Sequence, residues 1–197
     1  MQTEATEREV AAAITQSLRV SGSVFDIVHV VANDFRGQAP RARDILEGDI
    51  VTVFVETSGP DGHWVELGAI YAIGRVSDRR RLLARRVIGA LAGAAEHVRV
   101  DQEYGVLAEN LGDAGRPTVG FGHGTGVDEI PVTVAPGART RLRDGEAIVL
   151  HPSLTDPARG DAAGVANTFL TGPHGGTALS AHPLTLHHVS RTRTHLQ

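Results

Sequence analysis

The 197-residue sequence contains no cysteine and no lysine. The first absence excludes disulfides, thiolate metal clusters and a cysteine nucleophile. The second leaves all 19 basic residues as arginine, which excludes a lysine Schiff base and a P-loop lysine. No apolar run approaches the length of a membrane span. The first ten residues, MQTEATEREV, are acidic and polar, unlike a signal peptide. Together these point to a cytoplasmic protein. A net charge of −4 argues against generic nucleic-acid binding. With 41% hydrophobic and 21% charged residues, the chain has the composition of an ordinary folded domain. Heavy use of Arg, Ala, Gly and Val without Lys suggests coding in a GC-rich genome.

Periodicity and turn chemistry place the elements. Thr6 and Glu9 form a capping-box pattern, and Val10, Ile14 and Leu18 recur every four residues, predicting a helix that ends at Ser21-Gly22-Ser23. Residues 24–31 read as a strand. A polar loop over 33–44 and a Leu46-Glu47-Gly48-Asp49 turn lead into a strand over 50–56. Ser58-Gly59-Pro60-Asp61-Gly62 is a turn, so 50–73 is predicted to be an antiparallel hairpin. Ser77 is positioned to cap a helix whose apolar stripe is Leu82, Leu83, Val87, Ile88, Leu91 and Ala94. Arg79, Arg80, Arg81, Arg85 and Arg86 crowd its first turns, poorly placed for the helix dipole. A solvated face is the preferred reading for them, with carboxylate partners or an anion as alternatives. A second helix spans 104–111. Strands are expected over 118–126, 147–154 and 164–171, with a Gly172-Pro173-His174-Gly175-Gly176 turn and a tail over 183–197. The order predicts one α+β domain over 1–197, with helices packed on the outer face of a curved antiparallel sheet.

Three segments, in order, resemble the methionine aminopeptidase, proline peptidase and creatinase superfamily, the pita-bread fold. The first is the opening helix and strand, followed by Gly48-Asp49 and an apolar strand. The second is the hairpin over 50–74, followed by Val76-Ser77-Asp78 and a long helix. The third is Gly122-His123-Gly124-Thr125-Gly126, then Gly145 through His151-Pro152, then 165–171.

Active members of that family hold two divalent metals with two Asp, one His and two Glu. Carried over singly, the resemblance places Glu56 and Glu66 at the Asp positions and His123 at the His. It puts His151 at the first Glu and Ala166, or Asn167 if the register slips, at the second. Arg41 after Pro40 stands where the family has a proton-handling His. Residues 127–131 replace a segment carrying another His, with Asp128 and Glu129 as candidate substitutes. Carboxylates bridge two cations, but a neutral imidazole has one lone pair and Ala166 has no ligand atom. The resemblance therefore implies a degenerate metal site.

A metal-free polar cluster of Glu56, Glu66, His123 and His151 is the preferred reading. A single zinc, iron(II) or manganese ion on the same four residues is the alternative. His123, His151, Glu66 and Glu56 are the candidate catalytic residues. Arg41, Trp64 and Asp128 are candidates for substrate binding, with Arg41 as a clamp for a substrate carboxylate.

The resemblance implies first a non-peptidase enzyme on a small organic substrate. It would be a C–N hydrolase, lyase or cyclase-like enzyme, placed in secondary metabolism by association with the coding bias. Creatinase shows that this fold cleaves C–N bonds without a metal. The alternatives are an inactive binding or scaffold protein and a mononuclear metallohydrolase. The expected partner is a small-molecule substrate, with neither nucleic acid nor membrane; a homodimer is left open.

Overall fold

Thr6 opens the first helix by accepting a hydrogen bond from the Glu9 amide, and the Glu9 carboxylate accepts one from the Thr6 amide. Such a cap contributes about 1 kcal/mol. The computed structural model describes residues 5–35, 38–115, 121–126, 133–156 and 158–190. Helix α1 (Glu7–Val20) is followed by β1 (Phe25–Ala32), β2 (Ile50–Ser58) and β3 (Trp64–Ile73). Helices α2 (Asp78–Ala95) and α3 (Tyr104–Leu111) come next, then β4 (Gly122–Gly124), β5 (Ala147–Leu150), β6 (Ser153–Asp156), β7 (Asp161–Gly164), β8 (Asn167–Leu170), β9 (Thr177–Ala178) and β10 (Leu186–Val189).

The fold is α+β, as the sequence predicts. One sheet has the order β1-β2-β3-β10 and a second β4-β5-β8-β9, with β6 and β7 forming a separate pair. All named strand pairs are antiparallel except β3–β10. No helix among the described residues is long and apolar enough to cross a membrane.

Alternation along the first sheet divides its side chains between two faces. Val28, Val30, Val51, Val53, Tyr71 and Ile73 pack with Val10, Ala11 and Ile14 of α1 on the outer face. His29, Phe54 and Gly68 form one row of the inner face, and Ile27, Glu56 and Glu66 the next. The largest core joins Leu83, Val87 and Leu91 of α2 and Tyr104 and Leu107 of α3 to Ile148 and Leu150 of β5. Each such side chain contributes about 1.5–3 kcal/mol by burial.

Three expectations are corrected. Residues 147–154 and 164–171 each read as one strand, but each is divided: β5 from β6 at His151-Pro152, and β7 from β8 at Val165-Ala166. At the second break Ala166 pairs with Gly68 of the first sheet. An apolar run looks the same whether a strand continues or changes partners. The segment read as a tail contributes β10, which lies along the edge of β3 with Leu186 opposite Ile70. Finally, three of the helix arginines are paired rather than merely solvated. Arg79 binds Asp156, Arg80 binds Asp161 at 3.0 Å, and Arg81 binds Asp78. Strand 118–126 appears as β4, with 118–120 outside the described residues.

Two constraints set this frame. Glu7 is fully buried, and its carboxylate accepts from the Ala32 and Arg41 amides and from two guanidinium nitrogens of Arg41, all at 2.9–3.0 Å. Gly68 exchanges hydrogen bonds with Ala166 at 2.9 and 3.2 Å. A Cβ on Gly68 would lie 2.5 Å from the Ala166 nitrogen and 2.6 Å from the Phe54 ring.

Glu7→Ala should lower unfolding free energy by about 3 kcal/mol, because it strands the Ala32 and Arg41 amides, read from urea denaturation. Gly68→Ala should cost about 3 kcal/mol by overpacking against backbone; an unchanged midpoint would show that the two sheets are not locked there.

Candidate functional site

Glu66 projects from β3 onto the inner face, in register with Glu56 of β2. Its backbone is fixed by Thr168 of β8, whose hydroxyl accepts from the Glu66 amide at 2.8 Å and donates to the Glu66 carbonyl at 3.0 Å. From the opposite sheet, His123 on β4 stands in register with Val149, and Val149 with Thr168. Period-2 alternation places all three on one face, and His151, two residues beyond Val149, on that face too. The His151 amide donates to the Phe121 carbonyl at 3.1 Å and so continues the ladder past β5.

The three side chains converge. His151 Nδ1 lies 3.2 Å from one oxygen of the Glu66 carboxylate and 3.4 Å from the other, and His123 Nε2 lies 3.6 Å away. The imidazole centroids are 5.2 Å apart, edge to face. His123 Nδ1 is 2.8 Å from the Gly124 carbonyl, which can only accept, so Nδ1 carries a proton and Nε2 is the nitrogen presented to Glu66. One ligand atom from each of Glu66, His123 and His151 lies within 4.8 Å of the other two; it is the only group of its kind among the described residues.

Glu66 is 6% and His151 8% exposed. Burial alone would raise the Glu66 pKa, but hydrogen bonds from His123 and His151 outweigh it and hold the carboxyl near 2. The Glu66 contact raises the His123 pKa against the effect of its own burial. Glu56 moves the other way: desolvation and the neighbouring Glu66 charge push its pKa up. Two carboxyls on adjacent strands thus have opposite proton affinities.

These groups surround a cavity of about 150 Å³ lined by His29, Phe35, Phe54, Glu56, Glu66, His123 and His151. The four residues singled out from the sequence as a cluster share this hollow, although Glu56 stands outside the three-residue ligand group. Arg41 does not line it; its guanidinium is held bidentately by Glu7. Trp64 lies one row outward on the same face, stacked against Phe25 at 6.2 Å. Asp128 and Glu129 fall outside the described residues. Ala166 is buried against Phe35 and Phe54, and Asn167 pairs with Leu150 on the opposite face from His123.

His29, Phe35 and Phe54 were not singled out from the sequence. An imidazole in the apolar strand 24–31, alternating with Ile27 and Val31, was the available signal for His29. Its Nδ1 lies 2.8 Å from the Gln38 carbonyl, leaving Nε2 as the ring nitrogen with a lone pair.

The model of metallopeptidase family M24 matches residues 1–173. A dipeptidase from Mycobacterium ulcerans has a similar structure, with a TM-score of 0.82 at 22% identity over 96% of this chain and 54% of its own. A prolidase from Pyrococcus furiosus gives 0.83 at 17% over 93% and 58%. A methionine aminopeptidase from Rickettsia prowazekii gives 0.72 at 14% over 89% and 86%. The chain spans a little over half the length of the dipeptidase and the prolidase. No curated protein sequence matches it. With the family model covering nearly nine-tenths of its length and the pita-bread architecture in place, the chain belongs to metallopeptidase family M24.

Proposed function

We propose that this chain is a hydrolase that cleaves a C–N bond in a small organic substrate. It would use one divalent cation held by Glu66, His123 and His151, and would not be a dinuclear peptidase. The observation that carries the reading is the convergence of one carboxylate and two imidazoles at 3.2–3.6 Å. Ligand atoms on a common tetrahedral cation stand roughly 3.4 Å apart. The donor set fits zinc, iron(II) or manganese. The Gly124 carbonyl supplies the outer hydrogen bond that a ligating imidazole needs. Ala166, where the resemblance puts a second Glu, offers no donor atom and packs with Phe35 and Phe54, which supports one cation over two. The metal site is thus reduced relative to the two-metal arrangement that the resemblance implies.

A bound divalent cation polarises a carbonyl and acidifies water. The remaining work falls to side chains. Glu66 stays anionic and orients both imidazoles. Glu56, with its proton affinity raised, takes a proton from the attacking water and returns it to the departing nitrogen. The new bond joins water oxygen to the carbonyl carbon, and the bond that breaks is C–N. A second reading, a metal-free acid/base cluster, draws on the Glu66–His123 ion pair, which is complete without a cation.

Elemental analysis of purified protein should find about one zinc, iron or manganese per chain, lost in His123→Ala and His151→Ala and kept in Glu56→Gln with hydrolysis abolished. Metal-free wild type that still turns over would favour the second reading, and metal-free protein without turnover a scaffold.

In metal-free protein the ion pair links stability to pH. The raised His123 pKa gives stabilisation that is complete below its ordinary value of 6.5 and is lost as pH rises through the higher folded value. The Glu66 contribution is present above 4.5 and is lost as pH falls through about 2. Wild type should therefore exceed His123→Ala in urea midpoint by more at about pH 5.5 than at about pH 9; an equal difference at both would remove the ion pair from the account.

A further inference from the structure

Resting on the reading of the cavity as a reaction site, we infer that its substrate carries an alkyl or aryl group beside the scissile C–N bond, and that this group lies on an apolar shelf formed by Phe25, Ile27 and Trp64. The chemistry assigned to Glu56, Glu66, His123 and His151 makes no use of these three side chains, and the sequence singled out only Trp64 among them.

Continuity with the cavity is the first argument. On the inner face of the first sheet, Ile27, Glu56 and Glu66 form one row, and Phe25, Ser58 and Trp64 form the next row toward the hairpin turn. Successive rows on one face of a strand stand about 7 Å apart. A substituent of a few carbons spans that distance from a bond held beside Glu56 and Glu66.

Exposure is the second. An antiparallel strand with one watered face carries its polar side chains on that face. The start of β1 inverts this division. Phe25 is 60% and Ile27 46% exposed on the inner face, whereas the Asp26 side chain between them is 5% exposed on the outer face and pairs with Arg19. The charged side chain is buried and its apolar neighbours meet solvent, as suits a face that receives an apolar ligand.

Preorganisation is the third. Phe25 and Trp64 stack at 6.2 Å with 18° between their planes, on either side of Ser58, which is 2% exposed. The Trp64 carbonyl accepts from the Thr125 hydroxyl at 3.0 Å, and the Trp64 amide donates to the Gly126 carbonyl at 3.3 Å. Thr125 and Gly126 directly follow β4, which carries His123. The shelf is therefore tied to the strand that supplies one of the imidazoles, and two nearly parallel rings meet a ligand without first being ordered by it.

The two rows recognise unlike parts of one molecule. The carbonyl and nitrogen of the reacting bond stay with Glu56, Glu66, His123 and His151, and the apolar group settles on Phe25, Ile27 and Trp64. A few polar groups beside apolar and aromatic side chains are the usual make-up of a small-molecule site. Each methylene that leaves water on the shelf strengthens binding about fourfold.

The test uses zinc-loaded full-length protein and three probes, acetohydroxamate, butyrohydroxamate and hexanohydroxamate, which share a cation-binding head and differ in tail length. Affinity measured by calorimetry should rise about tenfold or more across the series. Hexanohydroxamate should also change the emission of Trp64, the single tryptophan of the chain, more than acetohydroxamate does. Phe25→Ser and Ile27→Ser should each flatten the series, with zinc content as the check that the variants are folded. Leu82→Ser, at an exposed apolar side chain on α2, should leave the series as it is in wild type. Affinity that does not rise with tail length, or that rises equally in the Phe25 and Ile27 variants, would overturn the inference and leave the metal reading standing. So would a wild-type dimer that Phe25→Ser dissociates, because a second copy would then cover the shelf. Zinc-loaded protein that binds none of the probes would overturn the reading of the cavity as a reaction site, and failure to bind zinc would overturn the metal reading; the inference falls with either.

Discussion

Gly68 and Ala166 exchange two backbone hydrogen bonds where the two four-stranded sheets meet. Two residues further along each strand, the Thr168 hydroxyl takes over from backbone and binds both the amide and the carbonyl of Glu66. Strand β3 therefore belongs to one sheet and is tied to the other. Without that junction Glu66 would face solvent or apolar side chains, and His123 and His151 would have no anion to converge upon. The close approach needs a residue without Cβ at position 68, so the placement of the site rests on a side chain that is not there.

Around this junction the charged groups divide into two kinds of work. Glu7, Asp49 and Asp161 are buried or half-buried and engaged by arginines: Glu7 by Arg41, Asp49 by Arg43, and Asp161 by Arg80. They tie α1, the 33–49 loop, α2 and β7 into one frame. Guanidinium suits this role because its fork satisfies both carboxylate oxygens and it does not lose its charge. Arg41 illustrates the division. Its sequence position suggested a substrate clamp, and the frame uses it instead.

The carboxyls of the cavity behave differently: among the described residues, the ion-pair partners of Glu66 are imidazoles rather than arginines. Glu66 is kept anionic by two imidazoles, and Glu56, desolvated by burial and with a like charge beside it, is pushed toward the protonated form. An imidazolium can lose a proton to water and give the freed lone pair to a cation, which a guanidinium cannot. A frame stabilised by permanent charges thus encloses a site built from exchangeable ones.

The sequence by itself determined the local elements. The Thr6–Glu9 cap, the hairpin turn over 58–62, the Ser77 cap and the helix over 104–111 follow from neighbours a few residues apart. Ordered motifs also carried the family resemblance and named Glu56, Glu66, His123 and His151. What only tertiary structure decided involves residues far apart in the chain. The breaks at His151-Pro152 and Val165-Ala166 depend on where strands change sheets, and β10 on the free edge of β3. His29, Phe35 and Phe54 line the hollow because alternation on one sheet is set against the pit left by Gly68, Gly164 and Ala166 of distant strands. The physical reason is range. Propensities and caps act within one or two turns, whereas a cavity is defined by side chains more than a hundred residues apart, whose approach no local pattern encodes.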